Sequence, residues 1–578
     1  MNLKPHAGIE RKSSTAAENP LVITLWFLSV VVLLLIVQYT RFYINNGKYL
    51  PHFLLAWDKS LFQGDLIRTA FFGQANIIMY NLFGYATSIV NHIGAENFLF
   101  ISSVINGALI IYVCYKTAML FGSRALAALF AVVLFTPFQL LPGADMTIIY
   151  PHHLGPSTFS LLPALLAFYF YLSKKFTLAF ASLAITALLH IKTGFAIAVP
   201  LALCITWESM DGNINRKDLI RSLLLSVPIF AFTAFYYSNI FANFSSNKEL
   251  VDAMIAREDD EVDILKTNIF LYHTYNYIFL NLLAIYFKMH YRLNNYIEKR
   301  IFKLIIASNI GILIGILVAV IHNYFMPVGS LMLLAWPKIA IVSTYFSIFI
   351  ICRSIILINS IWEKGNELAA AFICFVALIT LQDRFNIKYV ALTAIMAISF
   401  SMLLRLNFIK HRNAQVSFVS LFILTTIFVI QARLFSTTLK QKIEYRWFDT
   451  IYRAPYDFDP YQYQAIKWLN GNTKKEEMII CPGRINTEVQ YDDIRGYSKR
   501  PLFYTSAIID AYGSVKQYEE WKRRRKVLDD WFNTKNLEYL TKNKIGYILI
   551  RKQDEKFFNL RLNLRVYENK EMIIYSLK

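Results

Sequence analysis

The chain has 578 residues, of which 56% are hydrophobic and 17% are charged. Soluble domains are about 45–50% apolar and about 25% charged, so a single soluble domain is excluded. A net charge of +20 would indicate nucleic-acid binding in a soluble protein. Here the Lys and Arg residues collect in short loops between apolar runs, and no nucleic-acid-binding motif occurs. We therefore expect the lipid bilayer as a partner and no nucleic acid.

Apolar segments of membrane-spanning length recur along the first three quarters of the chain. A bilayer core of about 30 Å is crossed by about 20 apolar residues in a helix, because backbone groups in lipid must be paired within the segment. The sequence predicts a polytopic α-helical membrane protein with about 13 transmembrane segments and a C-terminal soluble α/β domain. The segments centre near residues 22–39, 96–118, 124–141, 157–173, 177–190, 192–208, 219–240, 270–288, 301–321, 331–351, 366–381, 388–405 and 415–432.

Loop charge orients these segments. Residues 1–20 are polar and the first apolar run is longer than a signal-peptide core, which predicts a retained helix behind a cytoplasmic N-terminal tail. The loops on the same side of the membrane as the N-terminus carry the excess of Lys and Arg, with Arg300 among these loop cations, which favours a cytoplasmic N-terminus. The transmembrane domain is then 21–433, with a long external first loop at 40–95, and an odd number of segments places 434–578 outside. Within that loop, Phe71–Val90 is apolar and aromatic and predicts an interfacial helix or helix pair.

The C-terminal residues have the charged, patterned composition of a soluble α/β unit. Helices are predicted at Tyr461–Asn470 and Tyr518–Asn533, and strands at Glu477–Cys481 and Ile545–Ile550. A terminal hairpin is predicted around residues 569–570, between Arg565–Glu568 and Met572–Leu577. The basic aromatic run 521–526 has two interpretations, contact with anionic headgroups or a solvated helix face.

Several common sites are missing from the sequence. The 5 cysteines form no C-x-x-C pair, so neither a zinc site nor a redox pair is predicted. A phosphate-binding G-x-x-x-x-G-K-[ST] loop and a G-x-S-x-G nucleophile elbow are also missing. ATP-driven transport by this chain alone is therefore disfavoured.

Two carboxylates lie on the first external loop. Asp58 and Asp65 could act as general base on an acceptor hydroxyl or bind a divalent cation. By spacing alone, ordinary loop solvation with a turn at Gly64-Asp65 is the simpler interpretation.

A second group of candidates is cationic. His190 and Lys192 interrupt apolar sequence and precede Gly194, which permits a helix break; a bent segment with these groups at its tip suits capture of a phosphate. A short hairpin with both groups in water is the alternative. Lys338 follows Trp336-Pro337, and is interpreted either as a contact to a lipid-linked phosphate or as a side chain that snorkels to the interface.

Further candidates follow from position in external loops. His152 and His153 are adjacent, which makes joint ligation of one ion by a single helix unfavourable, but either could contact phosphate. Arg68, three residues after Asp65, is also a candidate for phosphate binding. Asp145 is, with Asp65, a candidate metal ligand.

The layout resembles the GT-C class of integral-membrane glycosyltransferases, especially polytopic bacterial relatives. The resemblance covers nearly the whole chain, although no single motif is strongly diagnostic. It is carried by a first helix, a long external loop and the following segments: Trp57-Asp58, Leu61–Asp65, Leu188–Gly194, Ala465–Thr473, Met478–Pro482, Arg495–Arg500, Arg565–Asn569 and Ile573–Tyr575.

The resemblance implies sugar transfer from a polyprenyl-phosphate donor to an envelope glycan, lipid or protein, at the inner membrane of a bacterium with a periplasmic C-terminal domain. In that class an Asp of the first loop serves as general base or metal ligand, which favours Asp65 and then Asp58 here, with Mg²⁺ or Mn²⁺ as the candidate cofactor. Many members carry adjacent acids, whereas these two are separated along the loop, so metal dependence stays open. A transporter or flippase of a lipid-linked or anionic solute, and a non-catalytic envelope scaffold, are the alternatives.

Overall fold

The structure is a computed structural model of the chain. It describes residues 49–69, 77–120, 155–245, 252, 269–290, 293, 295–325, 336–360, 460–482, 494–505, 514–558, 560 and 562–578.

The described part of the first loop is helical. Helix α1 (Leu50–Trp57) leads into a turn and a 3₁₀ helix (Leu66–Thr69), and α2 (Ile77–Gly84) and α3 (Thr87–Ile93) follow. The last two agree with the helix pair predicted within Phe71–Val90. Their exposed Leu82, Tyr85 and Ile89 give the pair an unburied apolar face, as an interfacial segment requires.

Eight long helices form the bundle in the described part of the chain. They are α4 (Ala95–Met119), α5 (Pro156–Leu172), α6 (Phe176–Leu189), α7 (Ile191–Met210), α8 (Arg216–Ser245), α9 (Ile269–His290), α10 (Tyr296–Tyr324) and α11 (Ala340–Ser360). Among the described residues, three helical stretches are long and apolar enough to cross a membrane, namely Asn97–Met119, Ile191–Met210 and Tyr296–Tyr324. The predicted segments at 22–39, 124–141, 366–381, 388–405 and 415–432 lie outside the described residues.

One predicted segment is not a single α-helix. The described part of the segment predicted at 331–351 is a 3₁₀ helix at Trp336–Ile339, followed by α11 from Ala340. Pro337 has no backbone N–H to donate, and its ring disfavours a preceding α-helical turn. Lys338 therefore lies in this short 3₁₀ helix and not within the long helix.

Apolar side chains lie both inside the bundle and on its outer surface. Leu313 and Leu317, one turn apart on α10, are 64% and 57% exposed, as a lipid-facing surface requires. On its inner side, a Cβ at Gly315 would lie 2.5 Å from the Cβ of Trp336, so glycine is what lets the 3₁₀ helix pack there.

A buried polar network joins α9, α10 and α11. The Tyr277 hydroxyl donates to Asn309 at 2.8 Å and lies 2.6 Å from the Ser343 hydroxyl. Asn309 in turn donates to Asn281. Each polar group finds a partner on another helix, which fixes the rotation of the three helices about their axes.

The C-terminal residues form a four-stranded sheet with helices. Its strands are β1 (Met478–Ile480), β2 (Ile545–Arg551), β3 (Arg565–Glu568) and β4 (Met572–Ser576), in the order β1-β2-β4-β3. β1 is parallel to β2, whereas the β2–β4 and β3–β4 pairs are antiparallel.

The helices of this region are α12 (Pro460–Asn472), α13 (Val515–Thr534) and the short α14 (Glu538–Lys542) and α15 (Glu555–Phe558). The predicted helices, strands and terminal hairpin are therefore present, with ends shifted by a few residues at most. The hairpin turns as predicted, because the Asn569 side chain accepts from the backbone N–H groups of Glu571 and Met572.

Candidate functional site

The first loop and the C-terminal residues share one apolar cluster, named here the loop–tail cluster. It joins loop residues Leu50, Phe53, Phe62 and Met79 to tail residues Ile466, Ile479, Ile494, Cys481 and Leu502. Phe159 and Leu189, at the ends of bundle helices, pack against it. The loop, the tail and this end of the bundle are thus in direct contact.

Asp65 lies at the centre of the loop–tail contact. Its side chain and that of Arg495 are each 1% exposed, and the guanidinium donates from Nε to Oδ2 at 2.8 Å and from Nη2 to Oδ1 at 3.0 Å. The backbone N–H groups of Leu502 and Ile67 donate to the same two oxygens. This is a buried bidentate ion pair, and the carboxylate that the family resemblance favoured as general base is turned into the protein.

Two further tail side chains bind the backbone beside Asp65. Arg524 Nη2 donates to the carbonyl of Gly64 at 2.8 Å, and Gln517 Nε2 donates to the carbonyl of Leu66 at 2.8 Å. Both residues lie on α13. Neither headgroup contact nor a solvated helix face accounts for all of the basic run 521–526. Arg524 and Trp521 face inward and are 8% and 6% exposed.

The other cations of that run are largely paired along the helix. Arg523 binds Glu520, Lys522 lies near Glu519, and Arg525 lies 4.0 Å from Asp529. The Arg523 and Arg524 hydrogen bonds lower the pKa of Glu520 to about 2. The exposed face of α13 thus carries acid–base pairs at helical spacing, which is typical of a solvated helix face.

Asp58 is the more accessible of the two loop carboxylates. It ends α1, and its side chain is 41% exposed and lies 3.1 Å from Lys475 Nζ. The Ser60 hydroxyl donates to Asp58 Oδ1 at 2.5 Å, and the Ser60 N–H donates at 2.9 Å. The Ser60 hydroxyl is the main cause that lowers the pKa of Asp58, with the Ser60 N–H and Lys475 adding to it.

His190 and Lys192 lie in the sharp bend that the sequence predicted. His190 is extended, ends α6 and caps α7, and its Nδ1 accepts from the Thr193 N–H at 3.2 Å. Nδ1 is therefore an acceptor, which leaves the proton of a neutral imidazole on Nε2. Both side chains are half-buried.

The loop, this bend and Lys338 are linked by packing. Trp57, next to Asp58, and Leu189, next to His190, both border the loop–tail cluster. On the other side of the bend, Phe195 of α7 packs edge-on against Trp336 at 4.9 Å. Lys338 is two residues beyond that tryptophan, in the same 3₁₀ helix.

The remaining predicted site residues divide into two groups. Arg68 is exposed, and its Nη1 donates to the carbonyl of Leu61 at 3.0 Å, which closes the turn between them. Asp145, His152 and His153 lie outside the described residues.

The described residues do not fit the predicted divalent cation. No group of three or more His, Cys, Asp or Glu side chains placed to hold a metal ion occurs in the ranges that the structure describes. A cation at Asp65 would have to displace Arg495 from both oxygens.

The sequence did not predict two features of this architecture. Arg495, Gln517 and Arg524 are distant in sequence from the loop they bind, and only the resemblance at Arg495–Arg500 pointed to that part of the tail. Arg300 was interpreted as a loop cation, but it is buried in α10 and paired with Glu208 at 3.2 Å.

No family model matches the chain, and no curated protein matches it. Among solved structures it is similar to ArnT from Cupriavidus metallidurans bound to undecaprenyl phosphate, with 12% identity, a TM-score of 0.45, and coverage of 96% of this chain and 98% of that one. It is also similar to the oligosaccharyltransferase AglB from Archaeoglobus fulgidus in complex with an inhibitory peptide and a dolichol-phosphate. There the identity is 13% and the TM-score 0.43, over 92% of this chain and 70% of that one. Both similarities are at low sequence identity and concern the fold alone.

Proposed function

We propose that the chain is a GT-C-type glycosyltransferase that moves a sugar from a polyprenyl-phosphate donor to an envelope glycan, lipid or protein. The observation that supports the proposal is that the loop of the ionised Asp58 and the α6–α7 bend with His190 and Lys192 border the same loop–tail cluster. The 3₁₀ helix that carries Lys338 packs against α7. A donor phosphate requires the cations, and an acceptor hydroxyl requires the base.

The proposed reaction is a single displacement with inversion. The acceptor oxygen attacks the anomeric carbon, the bond from that carbon to the phosphate oxygen breaks, and the electron pair leaves with the polyprenyl phosphate. The hydroxyl proton passes to the carboxylate of Asp58. His190, Lys192 and Lys338 stabilise the charge that develops on the leaving phosphate.

Asp58 takes the role of base in this proposal because Asp65 is buried and fully engaged with Arg495. The orientation adopted is the one that loop charge favours, with the N-terminus cytoplasmic and residues 434–578 periplasmic. The acceptor then approaches from the periplasm, on the face where the loop and tail meet.

The test uses the full-length protein in liposomes with a set of polyprenyl-phosphate sugars. Wild-type protein is expected to release polyprenyl phosphate when acceptor is present, detected by mass spectrometry. Asp58→Asn is expected to lower that rate about 10²–10⁴-fold, the usual contribution of a general base. Asp529→Asn, which removes an exposed carboxylate of α13, is the matched control and should keep the wild-type rate.

Two outcomes would reject the proposal. Wild-type protein that carries labelled donor across the membrane without any covalent change would favour the flippase alternative. If Asp58→Asn and a Lys192→Ala, Lys338→Ala double variant release polyprenyl phosphate at the wild-type rate, the assignment of these residues to the site is wrong.

A pH prediction follows from the Ser60 hydrogen bonds. Asp58 must be deprotonated to act, and its lowered pKa keeps it ionised at lower pH than an ordinary aspartate. Ser60→Ala removes the hydroxyl that contributes most, so the pKa rises and the acid limb of the rate profile should move to higher pH. The profile is measured as release rate from pH 3 to pH 8, and an unmoved acid limb would exclude Asp58 as the titrating group.

A further inference from the structure

The turn after Asp58 has a conformation that its own sequence does not favour. Phe62 is left-handed, with φ 57°, although its side chain is bulky and 0% exposed. Gly64 is left-handed as well, with φ 78°. A bulky residue in this region persists only where the surrounding structure holds it.

The groups that hold this turn come from distant tail segments. Arg495 binds the Asp65 carboxylate, Arg524 binds the Gly64 carbonyl and Gln517 binds the Leu66 carbonyl. We name Asp65, Arg495, Gln517 and Arg524 the tail clamp. Side chains from two tail segments bind three consecutive residues of the loop, so the turn cannot shift without breaking charge-assisted hydrogen bonds.

The turn is also continuous with Asp58. Arg68 closes it by its bond to the Leu61 carbonyl, and the Leu61 N–H donates to the Asp58 carbonyl at 3.2 Å. Ser60 adds its two bonds to the Asp58 carboxylate. A displacement of the clamped turn would therefore be passed to the carboxylate that we assign as base.

We propose that the four tail-clamp residues are positioning residues, which hold the strained turn and so set the place of Asp58 at the end of the bundle. The catalytic consequence rests on the proposed function, whereas the positioning itself is a property of the fold. An ion pair buried at this contact carries a large desolvation cost, and apolar residues would have joined loop and tail more cheaply. What the Asp65–Arg495 pair adds is a fixed position of the loop relative to the tail.

The first experiment measures the fold alone. In hydrogen–deuterium exchange on the full-length protein in detergent, Asp65→Asn is expected to speed exchange of residues 58–69 by about tenfold or more, because opening no longer breaks the ion pair. Helices α5 and α6 should keep their wild-type protection. Asp529→Asn is the matched control, since that carboxylate is 63% exposed on α13.

Cys481 supplies a second readout of the same opening. It is 4% exposed in the loop–tail cluster, and burial raises the pKa of its thiol. Its reaction with a maleimide, identified by peptide mass, should quicken in Asp65→Asn and not in Asp529→Asn. If Asp65→Asn does not fold, Gln517→Leu removes one clamp bond and should give a smaller rise in exchange near residues 64–69.

The second experiment links position to turnover. Asp65→Asn is expected to lower sugar transfer about 100-fold, as a displaced catalytic group does, while affinity for a polyprenyl phosphate stays within about twofold. Asp65→Glu keeps a charge opposite Arg495 and should recover part of the rate. A fall in turnover with unchanged exchange and unchanged Cys481 reactivity would mean that Asp65 acts chemically, and would overturn the inference.

Unchanged exchange in both Asp65→Asn and Gln517→Leu would overturn it as well. Wild-type protein without any transferase activity would reject the proposed function, yet the exchange and thiol measurements would still decide whether the tail clamp positions the loop.

Discussion

Replacing Glu208 by Gln is expected to destabilise the helix bundle by about 3–5 kcal/mol, because the buried Arg300 guanidinium then loses its counter-charge. The two side chains are 2% and 1% exposed, and Glu208 also accepts from Lys303 at 2.8 Å. Arg300 keeps a bond to the Tyr171 carbonyl, but a neutral acceptor does not offset a buried positive charge.

Asp211→Asn is the matched control for this experiment. Asp211 binds the same Lys303, but its side chain is 41% exposed. Exposed pairs contribute about 0–1 kcal/mol, so this variant should unfold close to wild type. Unfolding is followed by denaturant titration of both proteins in the same detergent, and equal losses would contradict the view that burial of Arg300 determines the cost.

Gly194→Ala is expected to separate α6 from α7 and to destabilise the bundle by at least about 1–3 kcal/mol, the usual cost of overpacking. A Cβ at this position would lie 2.4 Å from the Cα of Ala187. Because the obstacle is backbone and not a flexible side chain, one of the two helices must move.

The same variant should also lower sugar transfer, since the shift acts directly on the bend that carries His190 and Lys192. Gly471→Ala, within α12, is its control because a Cβ there meets nothing within 4 Å. Alanine favours helix over glycine by about 1 kcal/mol, so this control should be neutral or slightly stabilising. Comparable thermal midpoints for the two variants would show that the α6–α7 contact tolerates a methyl group.

Local sequence predicted most of the long helices and the strands of the described residues. Apolar runs predicted α4 to α11 because a helix is the structure that pairs every backbone group within lipid. In the tail, the hairpin around residues 569–570 followed from turn chemistry, since an Asn side chain there satisfies the turn by itself. The bend at His190 was also visible, because two ionisable residues and a glycine interrupt an apolar stretch.

The roles of the charged residues could not be predicted from local sequence. Asp58 and Asp65 have the same side chain on the same loop, and spacing gave no reason to treat them differently. The tertiary structure separates them, because a guanidinium that lies far along the chain is folded onto Asp65, whereas Ser60 and solvent surround Asp58. Arg300 shows the same effect in the bundle, where Glu208 of another helix turns an apparent loop cation into a buried ion pair.

The sequence by itself therefore determined that this is a helical membrane protein, and where most helices and strands of the described residues lie. Periodicity and hydropathy act over a few residues and are written in each segment. Only the tertiary structure decided which of the two loop carboxylates is exposed and which is buried. Those properties depend on burial and on partners brought together by folding, which no single segment of the chain contains.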